Sequence, residues 1–176
     1  MKIALIGAGS VVWTRRLMMD ILSFTELTGA TLSLMDIDPV RLDTARQTVK
    51  RLVAQVGAPA TVEATLDQRE AVRGAKYVIY AVQVGMHNAT LLDFDIPRKY
   101  GLRQTIADTL GVGGIFRGLR TIPVMLSLLR DMEEVCPDAL FLNYVNPMSI
   151  LCLAASRRSE EHTSELQSLR HLVCRL

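Results

Sequence analysis

The sequence predicts an α/β fold, with helices on both faces of a doubly wound parallel β-sheet. Short apolar runs alternate along the chain with longer amphipathic segments, which is the order of elements in such folds. The apolar runs are nearly continuous, as in strands that are buried on both faces of a sheet. The 176 residues, 49% of them hydrophobic and 22% charged, suffice for one domain with its own core.

The first half of the chain gives two strand–helix pairs. Lys2–Ile6 is a short apolar run that ends at a glycine, and Val11–Phe24 has the length and periodicity of a helix. Thr31–Met35 is a second apolar run of the same kind. A long polar-faced helix is expected over Pro39–Gln55, because proline suits the first turn of a helix.

The second half of the chain adds three strands. Thr61–Leu66 alternates polar and apolar residues as a half-exposed strand does, and Asp67–Arg73 predicts a short helix. Lys76–Val82 and Ala139–Val145 are further apolar runs. Between them, Gly113–Glu134 is predicted to be mainly helical, with a kink or a new start at its internal proline.

Composition and charge argue against several classes of partner. The net charge is only +2 and the basic residues are scattered, which disfavours a nucleic-acid-binding surface. No uninterrupted apolar run reaches the roughly 18 residues that span a bilayer. The three cysteines, an odd number, fit reduced thiols better than a disulfide framework. We therefore expect a cytoplasmic protein with neither a nucleic acid nor a membrane as partner.

A glycine turn between the first strand and the first helix predicts a Rossmann-like dinucleotide site. In LIGAGSVVWT, Gly7 makes the tight turn, and Gly9 lets a pyrophosphate approach the backbone at the helix N-terminus. Val12 stands where the motif usually has a third small residue, which predicts looser packing of the helix on the strand. Asp36 ends the second strand, where a carboxylate accepts hydrogen bonds from ribose hydroxyls and repels a 2′-phosphate, so NAD is favoured over NADP. The alternative is a glycine turn without a ligand and an N-capping aspartate ahead of Pro39.

A second glycine-rich stretch, TIADTLGVGGIFRGLRTIP, spans Thr105–Pro123. It places Asp108 and Thr109 ahead of a group of glycines and then enters a helix that carries Arg117 and Arg120. Polar side chains on a loop that leads into a helix suit a sugar or an anion. The alternative is a flexible surface loop with solvated arginines.

The stretch NYVNPM places Asn146 at the carboxyl end of the last apolar run, where open parallel sheets bind ligands. An asparagine amide at that edge both donates to and accepts from hydroxyl groups. The alternative is that the Asn-Pro pair only forms a turn.

Together these stretches resemble the NAD-dependent glycosidases of glycoside hydrolase family 4. The motifs GAGS, LMDIDPVRL, QTIADTLGVGGIFRGLRTIP and LNYVNPM follow one another as in that family, from Met1 to about Arg157. The third and fourth motifs are specific and resemble most the α-galactosidase, melibiase-type branch. Branches that act on 6-phosphoglycosides usually have Glu-Thr in place of Asp108 and Thr109. The family is related to lactate and malate dehydrogenases.

The resemblance implies hydrolysis of an α-galactoside, or a related glycoside, by an unusual route. NAD would take a hydride from C3 of the sugar, a base would remove the C2 proton, and the aglycone would leave by elimination. Water addition and hydride return would complete the cycle, with a divalent metal such as Mn2+ polarising sugar oxygens. The whole enzyme is expected to be a homo-oligomer. The resemblance assigns Gly7, Gly9 and Ser10 to the pyrophosphate, Asp36 to the ribose, Asn146 to the sugar, and Asp108 and Thr109 to the substrate.

The segment after Arg157 is expected to be foreign to the enzyme. RSEEHTSELQS, residues 158–168, resembles an in-frame translation of a sequencing adapter, and residues 169–176 would then be unrelated as well. We therefore expect an NAD-binding domain of a truncated enzyme over residues 1–157, and a non-native tail over 158–176 that packs little or docks as a loose helix. The alternative is a native amphipathic helix, because Leu166, Leu169 and Leu172 recur at helical spacing.

No catalytic residue and no metal ligand is expected within this chain, because the family's metal-binding Cys and His and its base lie beyond the Asn-Pro motif. The pair His171 and Cys174 lies in the tail and is not assigned to a metal. His87 is predicted to lie in an exposed loop, and Trp13 to pack within the fold. Two other functions stay open: an NAD-dependent hydroxy-acid dehydrogenase of the lactate/malate type, and a non-catalytic NAD-binding module.

Overall fold

The computed structural model of the chain describes residues 1–106, 108–161 and 172–174. Its centre is one sheet of six parallel strands in the order β3-β2-β1-β4-β5-β6. The predicted α/β class with a doubly wound, Rossmann-like parallel sheet is confirmed. The strands are β1 (Lys2–Ile6), β2 (Thr31–Met35), β3 (Thr61–Thr65), β4 (Tyr77–Tyr80), β5 (Leu140–Asn143) and β6 (Leu172–Cys174).

Helices cover both faces of the sheet. Successive residues of β1 point to opposite faces: Leu5 packs with α1 and α2, and Ile6 packs with α3, α5 and α6. Each face is thereby closed by its own apolar cluster. The helices are α1 (Val11–Leu22), α2 (Pro39–Val56), α3 (Gln68–Val72), α4 (Met86–Arg98), α5 (Gly111–Val135) and α6 (Met148–Glu161), with a 3-10 turn at Thr25–Leu27.

Helix α4 was not predicted from the sequence. Its residues Leu91, Leu92 and Ile96 are exposed, while the residues that it buries are Asp93 and Pro97. The helix therefore lacks the buried apolar stripe that identifies an amphipathic helix in a sequence. Because α4 begins at Met86, the prediction that His87 lies in a loop is wrong: His87 lies in the first turn of this helix.

Helix α5 runs unbroken through Pro123, so the kink or new start expected at this proline does not divide it. By length and composition alone, α5 is apolar enough to cross a membrane, although arginines interrupt its apolar residues. Its residues Met125, Leu128 and Leu129 are buried against the sheet. The helix therefore packs as a core helix of the sheet domain.

The predicted boundary at Arg157 lies inside α6. Residues 162–171 and 175–176 lie outside the described residues, so the foreign origin of the tail stays a prediction. The expectation that the tail packs little or docks as a loose helix is wrong at residues 172–174. The backbone of β6 pairs in parallel with β5 there, with Leu172 opposite Phe141.

The cysteines depart in part from the expected reduced state. Cys136 is a free, buried thiol, and burial raises its pKa to about 11, so it stays protonated at neutral pH. Cys152, on α6, is disulfide-bonded. The expectation of reduced thiols therefore holds for Cys136 and fails for Cys152.

Replacing Tyr80 by Phe should stabilise the fold. Tyr80 is fully buried beside Phe141, and its hydroxyl has no hydrogen-bond partner among the described residues. A buried hydroxyl without a partner costs about 1–3 kcal/mol, so Tyr80→Phe should raise the free energy of unfolding by about 1 kcal/mol in urea titrations. Tyr77→Phe, at a half-buried tyrosine of the same strand, is the control and should change it little. A loss of stability in Tyr80→Phe would mean that the hydroxyl has a partner.

The difference in stability between Tyr80→Phe and the unmodified chain should grow at alkaline pH. Burial raises the pKa of Tyr80 above its usual value of about 10. The unfolded chain then loses this proton near pH 10 while the folded chain keeps it, so stability falls as the pH rises above that value. Tyr80→Phe lacks this loss, and its advantage should therefore grow in urea titrations above pH 10.

Candidate functional site

The candidate site is a cavity of about 690 Å³ at the carboxyl ends of the strands, beside β1 and β4. The order of the strands reverses between these two strands, and open α/β sheets bind ligands in the crevice at that point. Turns that follow β1, β2, β4 and β5 all contribute to its wall. Of the residues predicted for a site, those that line it are Gly7, Ser10, Asp36, Asp108 and Asn146.

Gly7 is required by the close approach of three strands. Its φ is +94°, and its N–H donates to the carbonyl of Met35 at 2.9 Å. A Cβ at this position would lie 2.5 Å from the carbonyl oxygen of Ala81, which follows β4. Both the backbone angle and the lack of space therefore demand glycine, as the predicted tight turn requires.

Gly9 and Asp36 form a direct contact between the first two strand ends. The N–H of Gly9 donates to Oδ2 of Asp36 at 2.7 Å, and a Cβ on Gly9 would lie 2.5 Å from the same oxygen. The N–H of Asp38 donates to the other oxygen, Oδ1, at 3.0 Å. The side chain of Asp38 itself caps α2 by accepting from Val40 and Arg41. The capping role thus belongs to Asp38, and Asp36 is left to face the cavity.

The N-terminus of α1 opens on the cavity at Ser10. Ser10 is the N-cap residue, and its side chain makes no capping hydrogen bond. The N–H groups of the first turn lack partners within the helix, so this end attracts an anion. Val12 is 66% exposed and does not lie between the helix and the strand, so the looser packing does not follow from this residue. The residue that turns inward is Thr14, whose hydroxyl donates to the carbonyl of Ala8 at 2.7 Å.

Asp108, Arg117 and Asn146 meet at another part of the cavity wall. The amide Nδ2 of Asn146 donates to Oδ2 of Asp108 at 3.2 Å, and Nε of Arg117 donates to the backbone carbonyl of Asn146 at 3.0 Å. A guanidinium nitrogen of Arg117 also lies 4.0 Å from Asp108. The structure therefore joins two residues predicted from separate stretches, and it shows that Arg117 is not a solvated surface arginine.

Thr109 is the predicted substrate residue that does not line the cavity. It is half-buried, and its backbone lies against α5: a Cβ on Gly114 would be 2.8 Å from the carbonyl oxygen of Thr109. Gly9 also lies behind the cavity surface, under Asp36. The roles assigned to these two residues, like those of the residues that line the cavity, stay predictions.

The wall residues that sequence reasoning missed include Trp13, Ile37, Arg41 and Met86. Trp13 was predicted to pack within the fold, but it is 53% exposed at the cavity. An aromatic residue in the first turn after a glycine-rich loop was the available signal. No such signal marked Met86, because α4 was not predicted.

A buried ion pair holds one wall of the cavity. The guanidinium of Arg120 on α5 makes two hydrogen bonds to the carboxylate of Asp93 on α4, one of them at 2.7 Å, and Asp93 is only 2% exposed. Nε of Arg120 donates to the carbonyl of Val84, which lines the cavity. The hydrogen bonds that Arg120 donates to Asp93 raise the pKa of Arg120. Arg120 therefore fixes the turn after β4 and is not open to an anion.

Metal ligands are not grouped in the described part of the chain. Among residues 1–106, 108–161 and 172–174, no cluster of three or more His, Cys, Asp or Glu residues is arranged to hold a metal ion. At the cavity, the N–H groups at the N-terminus of α1 donate hydrogen bonds, the carboxylates of Asp36 and Asp108 accept them, and the amide of Asn146 does both.

Comparison with known proteins gives a family match along most of the chain. Residues 2–164 match the family described as Family 4 glycosyl hydrolase. The chain is 47% identical to an α-galactosidase of Bacillus subtilis (strain 168) over 157 residues, which is 89% of this chain and 36% of that protein. It is 44% identical to an α-galactosidase of Rhizobium meliloti (strain 1021), over 88% of this chain and 32% of that protein.

A solved structure shows the same likeness. It is the 6-phospho-β-glucosidase of Thermotoga maritima with manganese, NAD+ and glucose-6-phosphate, at 30% identity and a TM-score of 0.74, covering 84% of this chain and 35% of that one. The chain thus spans about a third of the length of the relatives that it matches.

Removing Arg120 should destabilise the protein strongly. Arg120→Ala leaves the buried carboxylate of Asp93 without its partner, which costs about 3–5 kcal/mol in comparable cases. The matched control is Arg98→Ala on α4, whose exposed pair with Asp95 should contribute less than about 1 kcal/mol. Both values are read from urea unfolding. Equal stability of the two variants would contradict the role given to the buried pair.

Proposed function

The chain belongs to the family 4 glycosyl hydrolases, and from this membership we propose that it forms the nucleotide-binding part of a glycosidase dependent on NAD and a divalent metal. The proposed substrates are α-galactosides or related glycosides. The observation that carries the substrate class is the 44–47% identity to two α-galactosidases over nearly the whole chain. Because the chain spans about a third of those relatives, the activity proposed is that of the whole protein.

The nucleotide end of the cavity fits NAD. The turn at Gly7 and Gly9 has no room for a Cβ, so no side chain of these two residues stands between the backbone of the turn and a ligand. Ser10 and the N-terminus of α1 would hold the pyrophosphate. Asp36 would accept from the ribose hydroxyls in place of its present bonds to backbone N–H groups. When bound, NAD supplies a hydride acceptor for the sugar.

The polar end of the cavity would hold the sugar. The Asn146 amide and the Asp108 carboxylate offer one donor and several acceptors for hydroxyl groups. Arg117 fixes this arrangement by bonding the backbone of Asn146 and approaching Asp108. In this proposal Asp108 and Asn146 orient the sugar toward the nucleotide end, and the substrate role predicted for Thr109 is kept.

The metal does not fit the described residues, because they hold no ligand cluster. We therefore assign no step to a metal within this chain, and we propose that its ligands and the base belong to the remainder of the whole enzyme. The proposal includes a cytoplasmic location, where an NAD pool is available, and a homo-oligomeric whole enzyme. The alternative of a hydroxy-acid dehydrogenase is distinguished by its net oxidation of the substrate.

A chimera tests the proposed activity. Residues 2–157 should replace the matching segment of the Bacillus subtilis α-galactosidase and yield release of nitrophenol from p-nitrophenyl α-galactoside that requires both NAD and Mn2+. The 176-residue chain alone should bind NAD, seen as quenching of Trp13, its one tryptophan, but should give no turnover. Catalysis requires hydride acceptor, Lewis acid and base around one sugar.

Three outcomes test the NAD site, the substrate class and the division of the active site separately. A chimera that carries Asp36→Ala should keep its fold and lose activity at limiting NAD. A folded chimera with no galactosidase activity would contradict the substrate class. Metal-dependent turnover by the 176-residue chain alone would contradict the division of the site between this chain and the remainder.

A further inference from the structure

Arg41 lies beside the two residues to which we assign the ribose and the pyrophosphate. It is in the first turn of α2, and its Nε donates to the carbonyl of Gly9 at 3.2 Å. A Cβ on Gly9 would lie 2.5 Å from Oδ2 of Asp36 and 3.0 Å from Cβ of Arg41. Asp36 and Arg41 therefore converge on the same glycine from two sides.

The guanidinium of Arg41 reaches across the carboxyl edge of the sheet. One of its terminal nitrogens lies 3.6 Å from Sδ of Met86, which opens α4 beyond β4. Met86 has a φ of 50°, a left-handed angle that a side chain adopts only when its surroundings enforce it. Arg41, Asp36 and Met86 all line the cavity, so the guanidinium spans its nucleotide end.

The positive charge of Arg41 is not paired within the described part of the chain. There, carboxylates form ion pairs with five other arginines, and none forms one with Arg41. The two polar contacts of its guanidinium are with a carbonyl oxygen and a sulfur, and neither atom neutralises a cation. A half-buried guanidinium in a cavity, with terminal donors that no described carboxylate binds, suits the geometry of a phosphate group.

We propose that Arg41 is a specificity-determining residue, which would bind a 2′-phosphate on the adenosine ribose and is kept from doing so by Asp36. This rests on the proposed binding of a dinucleotide. The Asp36 carboxylate accepts from ribose hydroxyls and repels a 2′-phosphate, so the chain selects NAD. Once the carboxylate is removed, the guanidinium already in place makes the site one for NADP.

A double-mutant cycle on the purified 176-residue chain tests this proposal. Calorimetric titrations with NAD and with NADP compare the unmodified chain, Asp36→Ala, Arg41→Ala and the double variant. Asp36→Ala should bind NADP about tenfold or more tightly relative to NAD than the unmodified chain does, as expected for a charge-assisted hydrogen bond. Adding Arg41→Ala should abolish that gain.

Two further variants guard against unfolding and against a general effect of charge. Asp36→Asn removes the charge but keeps the size of the side chain, and it replaces Asp36→Ala if circular dichroism shows that the alanine variant is unfolded. Arg46→Ala is the matched control, because Arg46 lies on α2 and pairs with the exposed Asp43 outside the cavity. It should leave the affinities for NAD and NADP unchanged in either background.

The outcomes distinguish this inference from the proposed function. If the Asp36 variant binds NADP equally with and without Arg41, the inference is overturned while the nucleotide site stands. If Arg46→Ala abolishes the gain as fully as Arg41→Ala does, a general charge effect replaces the specific role. If the unmodified chain binds neither NAD nor NADP, both the nucleotide site and the role of Arg41 are overturned.

Discussion

The site depends on the close approach of three backbone segments at the carboxyl end of β1. Gly7 lies against the carbonyl groups of Met35 and Ala81, and Gly9 lies against the carboxylate of Asp36. At both glycines an added Cβ would overlap a neighbouring oxygen. The same lack of side chains that lets the strands pack also leaves the β1–α1 turn uncovered beside the cavity, so the fold and the binding site share one steric requirement.

A second constraint holds the opposite wall. The pair of Arg120 and Asp93 joins α5 to α4 and, through the carbonyl of Val84, fixes the turn after β4. A buried ion pair is costly to desolvate and is stable only when both partners are well bonded. Its placement beside the cavity means that α4, the helix with few buried apolar residues, is held by polar contacts.

The sheet could be predicted from the sequence because buried parallel strands carry nearly continuous apolar runs. The bounds of β1 and β2 agree with the predicted segments, and α2 begins at the predicted Pro39. Helix α4 could not be predicted, because its inward residues are Asp93 and Pro97. The pairing of β6 with β5 also could not, because helical spacing of leucines was the dominant local pattern there.

The candidate site could be predicted residue by residue but not as an arrangement. Asp108 and Asn146 were identified on separate stretches, and their contact depends on where α5 begins and how the chain turns after β5. Trp13 and Arg41 were missed as cavity residues because their roles follow from which side of a helix faces a neighbouring turn. Such relations arise from tertiary packing and leave no periodic signal.

Titration of the ¹⁵N-labelled chain with NAD, followed by NMR, tests the central claim most directly. The account predicts that the amide signals of Gly7, Gly9 and Ser10 shift most as NAD saturates the chain, because Gly7 and Ser10 line the cavity and the N–H of Gly9 is bonded to Asp36, which would turn to the ribose. The amides of β3, away from the turn, should remain nearly unchanged. Largest shifts outside the β1–α1 turn, or no shifts at saturating NAD, would contradict the account.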